Sequence, residues 1–330
     1  MRTMTVAIAS YQRRAPLLRL LHALDDEIAR DGATGAGVDV VVVLDGSDDG
    51  SREAVDSGPW RMPVRVHWQP NRGLAAARNA GLARATGEIV WFLDDDVVPT
   101  PGLLARHRAA HEGEAGDDVV VGLCVIPDDS DVPDDAREWW AAHHAELHDR
   151  AVIDRFDLFT AANASGPVAC FRDVGGFDER FVEYGCEDFE LAARLLDAGV
   201  RIRFDPEAVA LHPEHATFTE MVRRQRSIGR NCVLIARDHP HTAETLFPMN
   251  PAGRTTTFLR RLPTRAPRVY AAIATVAESV ARHGRPVLGT RPTRQLQHIA
   301  LAASFASGVA DADCDGRYLA RVLGDVGTAR

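Results

Sequence analysis

Lysine occurs nowhere in the 330 residues, so all 38 fixed side-chain cations are arginines. That absence removes the lysine on which sugar nucleotidyltransferases rely, together with their glycine-rich loop, and it assigns no function by itself. A glycine-rich turn is also missing after the first apolar run, where the chain reads SYQRRAP. A dinucleotide pyrophosphate needs such a turn, so a dehydrogenase is excluded although the strand pattern would suit one. Cysteine is scarce: Cys124, Cys170, Cys186, Cys232 and Cys314 are odd in number, widely spaced and never in a CxxC. Neither a disulfide framework nor a zinc site follows, and a reducing, cytoplasmic setting is expected. No apolar run approaches the ~18 residues of a membrane span. The opening MRTMTVAIAS meets Tyr11, Gln12 and two arginines too early for a signal segment and reads as a buried first strand.

The formal charge of −9 is unevenly spread. Residues 1–249 hold 26 Arg against 42 Asp and Glu, a net −16, whereas residues 250–330 hold 12 against 5, a net +7. No nucleic-acid partner is expected. The basic tail, with RRLPTRAPR and YAAIATVAESVA, offers two readings. One is peripheral contact with an anionic membrane at the inner face. The other is a helical face packed on the catalytic domain or on a second subunit in a homo-oligomer.

Short apolar runs rich in Val and Ile at 4–9, 38–44, 63–68, 88–93 and 118–125 predict strands buried on both faces. Helical patterns at 14–30, 51–57, 73–85 and 101–112 separate them, so an α/β fold with a largely parallel sheet flanked by helices is expected. An acidic linker, DDSDVPDD, then leads to a helix around Trp139 and Trp140 and a loop-rich stretch up to Gly185. Further on the pattern predicts a helix over 187–199, strands over 200–205 and 207–211, and an Arg-rich helix from 216 to about 237. Beyond Pro251, amphipathic helices broken at Pro263, Pro267, Pro286 and Pro292 form a C-terminal helical appendage. The domain expectation is therefore 1–250, with halves of about 1–125 and 126–250, followed by a helical region over 251–330.

The strongest local signal is Trp91-Phe92-Leu93-Asp94-Asp95-Asp96, an apolar strand running straight into three acids. Adjacent carboxylates repel unless a cation neutralises them. Ligands of open α/β sheets bind outside the carboxyl ends of the strands, where this cluster falls. A divalent ion such as Mg²⁺ or Mn²⁺ would suit it, and so would a plain solvated turn. The second strand also ends in an acid, Asp45, within DGSDDGS, and NRGLAAARNAGLARATGE opens a helix that carries Arg78. On the helix beginning near 187, Asp188 shares a face with Leu191, Ala192 and Leu195, an unusual place for an acid. Helix-terminal stabilisation is the plain alternative.

Ser10-Tyr11, DGSDDGS, NRGLAAARNAGLARATGE, WFLDDD, then Gly175-Gly176-Phe177-Asp178-Glu179-Arg180-Phe181 and Glu187-Asp188 follow one another in an order that resembles the family 2 glycosyltransferases of GT-A fold. The resemblance covers roughly residues 4–215. It implies a metal-dependent, inverting transfer from a nucleotide-sugar donor, with uracil as the expected base and guanine or thymine as the alternatives, to an acceptor that no motif identifies. It further implies that Ser10, Tyr11 and Asp45 face the nucleotide, that Arg78 lies near the donor phosphates or sugar, and that Asp95 is available to donor hydroxyls. Asp94 and Asp96 match the outer positions of the DxD motif, with Asp96 the direct ligand of Mn²⁺ or Mg²⁺. Asp188 stands where the family keeps its catalytic base, and His212 is a candidate further metal ligand. His143, His144 and His148 read as surface or acceptor-side residues. The competing reading is a non-catalytic nucleotide-sugar-binding or scaffold protein that retains the fold.

Overall fold

The computed structural model describes residues 2–30, 37–113, 116–128, 130, 134–213, 217–247, 279 and 290–322. The described chain packs as two units, one of Met1–Asp131, Arg137–Glu183 and Glu187–His215, the other of Val132–Ala136, Tyr184–Cys186 and Ala216–Arg330.

The first unit is built on a mixed sheet. Strands β1 (Met4–Ser10), β2 (Val38–Asp45), β3 (Val64–Gln69) and β4 (Ile89–Leu93) run parallel in the order β3-β2-β1-β4. In β1, β2 and β4 the continuous apolar content is explained by burial on both faces, whereas β3, expected to be buried likewise, is an edge strand with Arg65 and Trp68 exposed. On one face, α1 (Arg14–Arg30) lays Leu17, Leu20, Leu21, Leu24 and Ile28 against Val6, Ile8, Val40, Val42 and Trp91. Each of those leucines contributes about 1.5–3 kcal/mol by leaving water. On the other face, α3 (Leu74–Arg84) uses small residues: Ala77 and Ala80 pack on Val41 and Val43, and a Cβ at Gly81 would lie 3.2 Å from that of Ala7. The alanines of the NRGLAAARNAG segment thus bring a helix close to the strand ends.

Beyond β4 the sheet departs from the parallel expectation. Strand β8 (Asn163–Pro167), in the stretch read as loop, inserts antiparallel between β4 and β6 (Val119–Val125). Its sequence, NASGP, lacks the apolar signature of a strand because its buried positions are held by polar contacts. Asn163 Oδ1 accepts from Trp91 Nε1 at 3.0 Å, and Asn163 Nδ2 donates to the Ala208 carbonyl at 3.0 Å. The buried ring of His107 bridges Asn163 and Ser165 at 2.8 and 2.7 Å, and burial lowers its pKa to about 4. Strand β9 (Ile202–Leu211) replaces the two expected strands: it pairs parallel with β6, and a register shift between Gly122 and Leu123 absorbs the Pro206 region. Two short strands, β5 (Val98–Pro99) and β7 (Val152–Ile153), flank β9 antiparallel.

Helix α7 (Glu187–Asp197) belongs to the same unit and buries Leu191, Ala192 and Leu195. In the second unit, α8 (Phe218–Asp238) starts at a capping box, in which Thr217 and Glu220 satisfy each other's backbone N–H groups. It packs along α10 (Thr290–Ala312), where Gly229 and Gly308 face backbone carbonyls at distances that leave no room for a Cβ. Pro292 does not break a helix but sits in the first turn of α10, where a missing N–H costs nothing. Pro263, Pro267, Pro286 and the segments RRLPTRAPR and YAAIATVAESVA, Ser279 excepted, lie outside the described residues. Among the described residues, no helix is long and apolar enough to cross a membrane.

Candidate active site

The register of β1, β2 and β4 brings their carboxyl ends to one edge, so Ser10, Asp45 and Asp94 emerge side by side. Glycines shape the turns that follow. Gly73, with φ of 90°, precedes α3, and a Cβ there would meet the Val182 carbonyl at 2.9 Å. Gly176, with φ of 72°, leaves room for Asn79, whose amide accepts from Phe177 N at 2.7 Å and donates to its carbonyl at 2.8 Å. Asn79 thereby clamps the GGFDERF segment onto the NRGLAAARNAG helix, although the two are a hundred residues apart.

Asp45 is buried, and three donors converge on it. Oδ1 accepts from Gln69 Nε2 at 2.8 Å and Arg72 N at 3.0 Å, and Oδ2 accepts from Gly73 N at 2.8 Å. The carboxylate organises the entry to α3 and keeps one Oδ2 lone pair in reserve. Two aromatic rings stand open at this edge, Tyr11 at 51% exposure and Trp68 at 44%, the latter donating to the Ser47 carbonyl at 3.0 Å. Trp68 escaped the sequence reading because it ends a strand in which an aromatic is ordinary.

The three acids of WFLDDD are treated differently. Asp94 Oδ1 receives Arg78 Nη2 at 2.7 Å, while Arg78 Nη1 reaches Glu187 Oε1 at 2.7 Å. Arg78 is only 4% exposed and lies 5.4 Å from the centre of the Phe177 ring. Arg78 stands at the strand ends, as the resemblance implied for a residue near the donor phosphates or sugar, and its two terminal nitrogens are bonded to carboxylates. Burial would favour its neutral form, yet Asp94, Glu187 and Asp188 hold its pKa above the ordinary arginine value. Asp96 lies between His212 Nε2, 3.3 Å from Oδ1, and Arg13 Nη2, 2.7 Å from Oδ2. Burial alone would raise its pKa, but His212 and Arg13 hold the carboxyl well below the usual range. Asp95 is buried with Arg13 Nε at 3.5 Å, and desolvation pushes its pKa up to about 7 against the pull of Arg13.

Asp188 occupies the first turn of α7, where its Oδ1 accepts from Phe189 N at 3.0 Å. It keeps part of its surface open while protein atoms crowd its carboxyl. That desolvation, with Glu187 beside it, pushes its pKa up to about 7 in spite of Arg78. A carboxyl poised there can take up or give a proton near neutrality. Glu187 and Arg13 carry no role in the sequence reading. The signal for Glu187 was masked by the ordinary acidity of a helix start, and Arg13 was one arginine among many.

His212 follows β9, with its N–H on the Val125 carbonyl at 2.8 Å. Its ring lies 5.8 Å from that of Trp140 on α5 (Asp134–His148). Trp140 also lies edge-on to His143 at 6.0 Å and tilted to His144 at 5.5 Å. His143 is buried, contrary to a surface role, and burial lowers its pKa to about 4. His148 stays exposed, with its ring 5.6 Å from that of Phe204.

Among the described residues, no three His, Cys, Asp or Glu side chains are grouped so as to hold a metal ion, so Asp94, Asp96 and His212 do not gather as one three-ligand set. The donor set nonetheless fits an ion that keeps open positions, because Asp96 and His212 meet and the buried Asp95 carboxyl beside them has the Ser10 hydroxyl as its neutral polar neighbour, with no close hydrogen bond on Oδ2. Mg²⁺ and Mn²⁺ bind in this way, through one or two protein ligands with water and phosphate filling the rest.

The chain is similar in sequence and fold to known proteins. Residues 5–173 match the family described as glycosyl transferase family 2, and residues 155–216 match the N-terminal domain of galactosyltransferase. Validoxylamine A glucosyltransferase of Streptomyces hygroscopicus subsp. limoneus is 31% identical over 273 residues, covering 74% of this chain and 58% of that protein. The pre-mycofactocin glycosyltransferase of Mycobacterium tuberculosis (strain CDC 1551 / Oshkosh) is 26% identical over 360 residues, covering 94% of this chain and 71% of that protein. The chain spans about 58–63% of the length of the first of these relatives in its two Streptomyces forms. Among solved structures, the mannosyltransferase PcManGT from Pyrobaculum calidifontis, in complex with GDP-Man and Mn²⁺, superimposes with a TM-score of 0.62. That likeness spans 95% of this chain and 88% of that one at 20% identity. S. aureus TarS 1-349 with UDP-GlcNAc gives 0.56 at 18% identity, covering 94% and 92%. At these identities the structural likeness is one of fold, the GT-A arrangement expected from the motifs. With half the sequence matched and the motif residues gathered at one sheet edge, the chain belongs to glycosyl transferase family 2.

Proposed function

We propose that this protein is a metal-dependent inverting glycosyltransferase that moves a sugar from a nucleoside-diphosphate sugar to an acceptor hydroxyl. The observation that carries the reading is the joining of two distant acidic motifs: Arg78 ties Asp94 of the strand-end cluster to Glu187, immediately before Asp188. A base and a donor-binding cluster held on one rigid link suit direct displacement, in which both must face the anomeric carbon.

In this reading the nucleotide lies at the ends of β1 and β2. Its base stands near Tyr11 and the Ser10 turn, and Asp45 Oδ2 accepts from a ring N–H. Asp95 serves donor hydroxyls. Asp96 and His212 would hold Mn²⁺ or Mg²⁺, with Asp94 as the other DxD carboxylate. The bound ion would neutralise charge on the departing diphosphate. Asp188 removes the proton from the acceptor hydroxyl as its oxygen attacks the anomeric carbon from the face opposite the leaving group. Uracil is the base implied by the motifs, and the GDP-Man and UDP-GlcNAc of the two solved structures keep guanine as the rival. The acceptor carries a hydroxyl, and the segments around 125–185 bear the specificity, since loops between fixed elements carry recognition.

The test is Asp188→Asn in a donor-turnover assay. Turnover should fall by on the order of 10² to 10⁴, the usual worth of a positioned base, with nucleotide affinity nearly unchanged. Full turnover in that variant would remove Asp188 from the mechanism.

A further inference from the structure

Five acids crowd the site: Asp94, Asp95, Asp96, Glu187 and Asp188. Arg78 is spent on Asp94 and Glu187 and is almost wholly buried. Among the described residues, the guanidinium paired with Asp95 and Asp96 is that of Arg13, whose side chain is 43% exposed.

The loop carrying Arg13 is held with unusual care. Gln12, beside it, has φ of 55°, a left-handed conformation that a residue with a Cβ keeps only when its surroundings impose it. Three bonds to the DGSDDGS turn impose it: Gln12 N donates to Ser47 Oγ at 3.0 Å, Gln12 Nε2 to Asp48 Oδ1 at 2.6 Å, and Arg14 N to Asp49 Oδ2 at 2.9 Å. The turn after β2 therefore fixes the backbone on both sides of Arg13 and aims its side chain across the strand ends at the acids. A surface arginine with no task would need no such tethers.

Both oxygens of Asp96 are engaged, Oδ1 by His212 and Oδ2 by Arg13. Each of those oxygens keeps a second lone pair, so the competition is one of charge: a divalent ion and a guanidinium held on one carboxylate repel at contact distance. We propose that Arg13 is a resident counter-ion of the metal site, occupying Asp96 in the metal-free protein and yielding that carboxylate when a divalent ion binds. The proposal rests on the metal-dependent reading above and goes beyond it by assigning a competitor to the ion. Metal affinity is then set low by design. Arg13, once displaced, remains tethered at the strand ends, where its charge meets the donor diphosphate. Ion and nucleotide thus bind better together than apart. Arg78 cannot play this part, because leaving its partners would strand the buried Glu187 carboxylate without a counter-ion.

The experiment is titration of Mn²⁺ alone into the full chain, with no nucleotide, followed by calorimetry and by the spin-resonance signal of free Mn²⁺. Wild type, Arg13→Gln, Arg13→Lys and Asp96→Ala are compared. Arg13→Gln should bind Mn²⁺ roughly ten-fold more tightly, the worth of one charge-assisted hydrogen bond removed from competition. Arg13→Lys, which keeps the charge, should fall between it and wild type, and Asp96→Ala should lose the ion. At saturating Mn²⁺ the nucleoside diphosphate should bind Arg13→Gln less tightly than wild type. Equal or weaker Mn²⁺ binding by Arg13→Gln, with wild type still binding, would overturn the counter-ion role and leave the metal site standing. No Mn²⁺ binding by either protein would overturn both. A merely structural role for Arg13 would weaken binding when removed, so a gain in affinity is specific to competition.

Discussion

Replacing Arg78 by methionine tests whether this arginine holds the site together or serves the donor. The side chain is 4% exposed and makes two charge-assisted bonds of 2.7 Å, to Asp94 and to Glu187. Methionine fills much of the same space without a charge, so the two carboxylates would remain near each other with no counter-ion. Breaking a buried ion pair from one side costs about 3–5 kcal/mol, because the stranded charge keeps its desolvation penalty. In chemical denaturation followed by tryptophan fluorescence, Arg78→Met should lose about that much. Adding Glu187→Gln should return part of it, giving a coupling of at least about 1 kcal/mol in the double-mutant cycle. A loss within about 0.5 kcal/mol, the range of an unremarked surface change, would refute the reasoning. Weakened nucleotide binding alongside that small loss would return Arg78 to the donor phosphates.

Two further outcomes follow from the same geometry. Transfer activity should rise with pH through a limb near 7, because Asp188 must be ionised to act and burial has raised its pKa to about 7; the measurement is kcat/KM against pH, and a flat profile from 5 to 8 contradicts it. The sign for stability is opposite: a raised folded-state pKa favours folding fully below the ordinary carboxylate value near ~3.9 and loses that contribution as pH climbs through about 7. Gly73→Ala should destabilise the protein by at least about 1 kcal/mol and weaken nucleotide binding, since φ of 90° and a Cβ 2.9 Å from the Val182 carbonyl would displace the N–H that Asp45 holds. Thermal unfolding and nucleotide titration read both effects, and an unchanged variant would show that this turn is not strained by a side chain.

Three strands of the parallel half, β1, β2 and β4, were legible because they are buried on both faces and say so in runs such as VVVVLD, while the edge strand β3 is only partly buried. The acids at the strand ends were legible for the same reason, since an apolar strand terminating in WFLDDD leaves no doubt about where it ends. Strand β8 was not, because its buried positions are filled by Asn163 and Ser165 bonded to His107, a pattern that looks polar until the partners are brought together. The single bulged β9 was read as two strands because Pro206 interrupts it, and a local signal does not show that β6 tolerates a register shift. At the site, Asp188 stood out as an acid on an apolar stripe. The Arg78–Glu187 pair did not, since 109 residues separate its members and helix starts are commonly acidic. Arg13 had no local mark either, its meaning lying in the tethers to the next strand's turn.

Binding of nucleoside diphosphates tests the central claim most directly. UDP, GDP and TDP are titrated calorimetrically into the wild-type protein and Asp96→Ala, each with Mn²⁺ and with chelator. The account predicts that one nucleotide, UDP by the motif implication, binds wild type only with Mn²⁺ and fails to bind Asp96→Ala under either condition. Binding that is equal with and without Mn²⁺, or that survives the loss of Asp96, would contradict it.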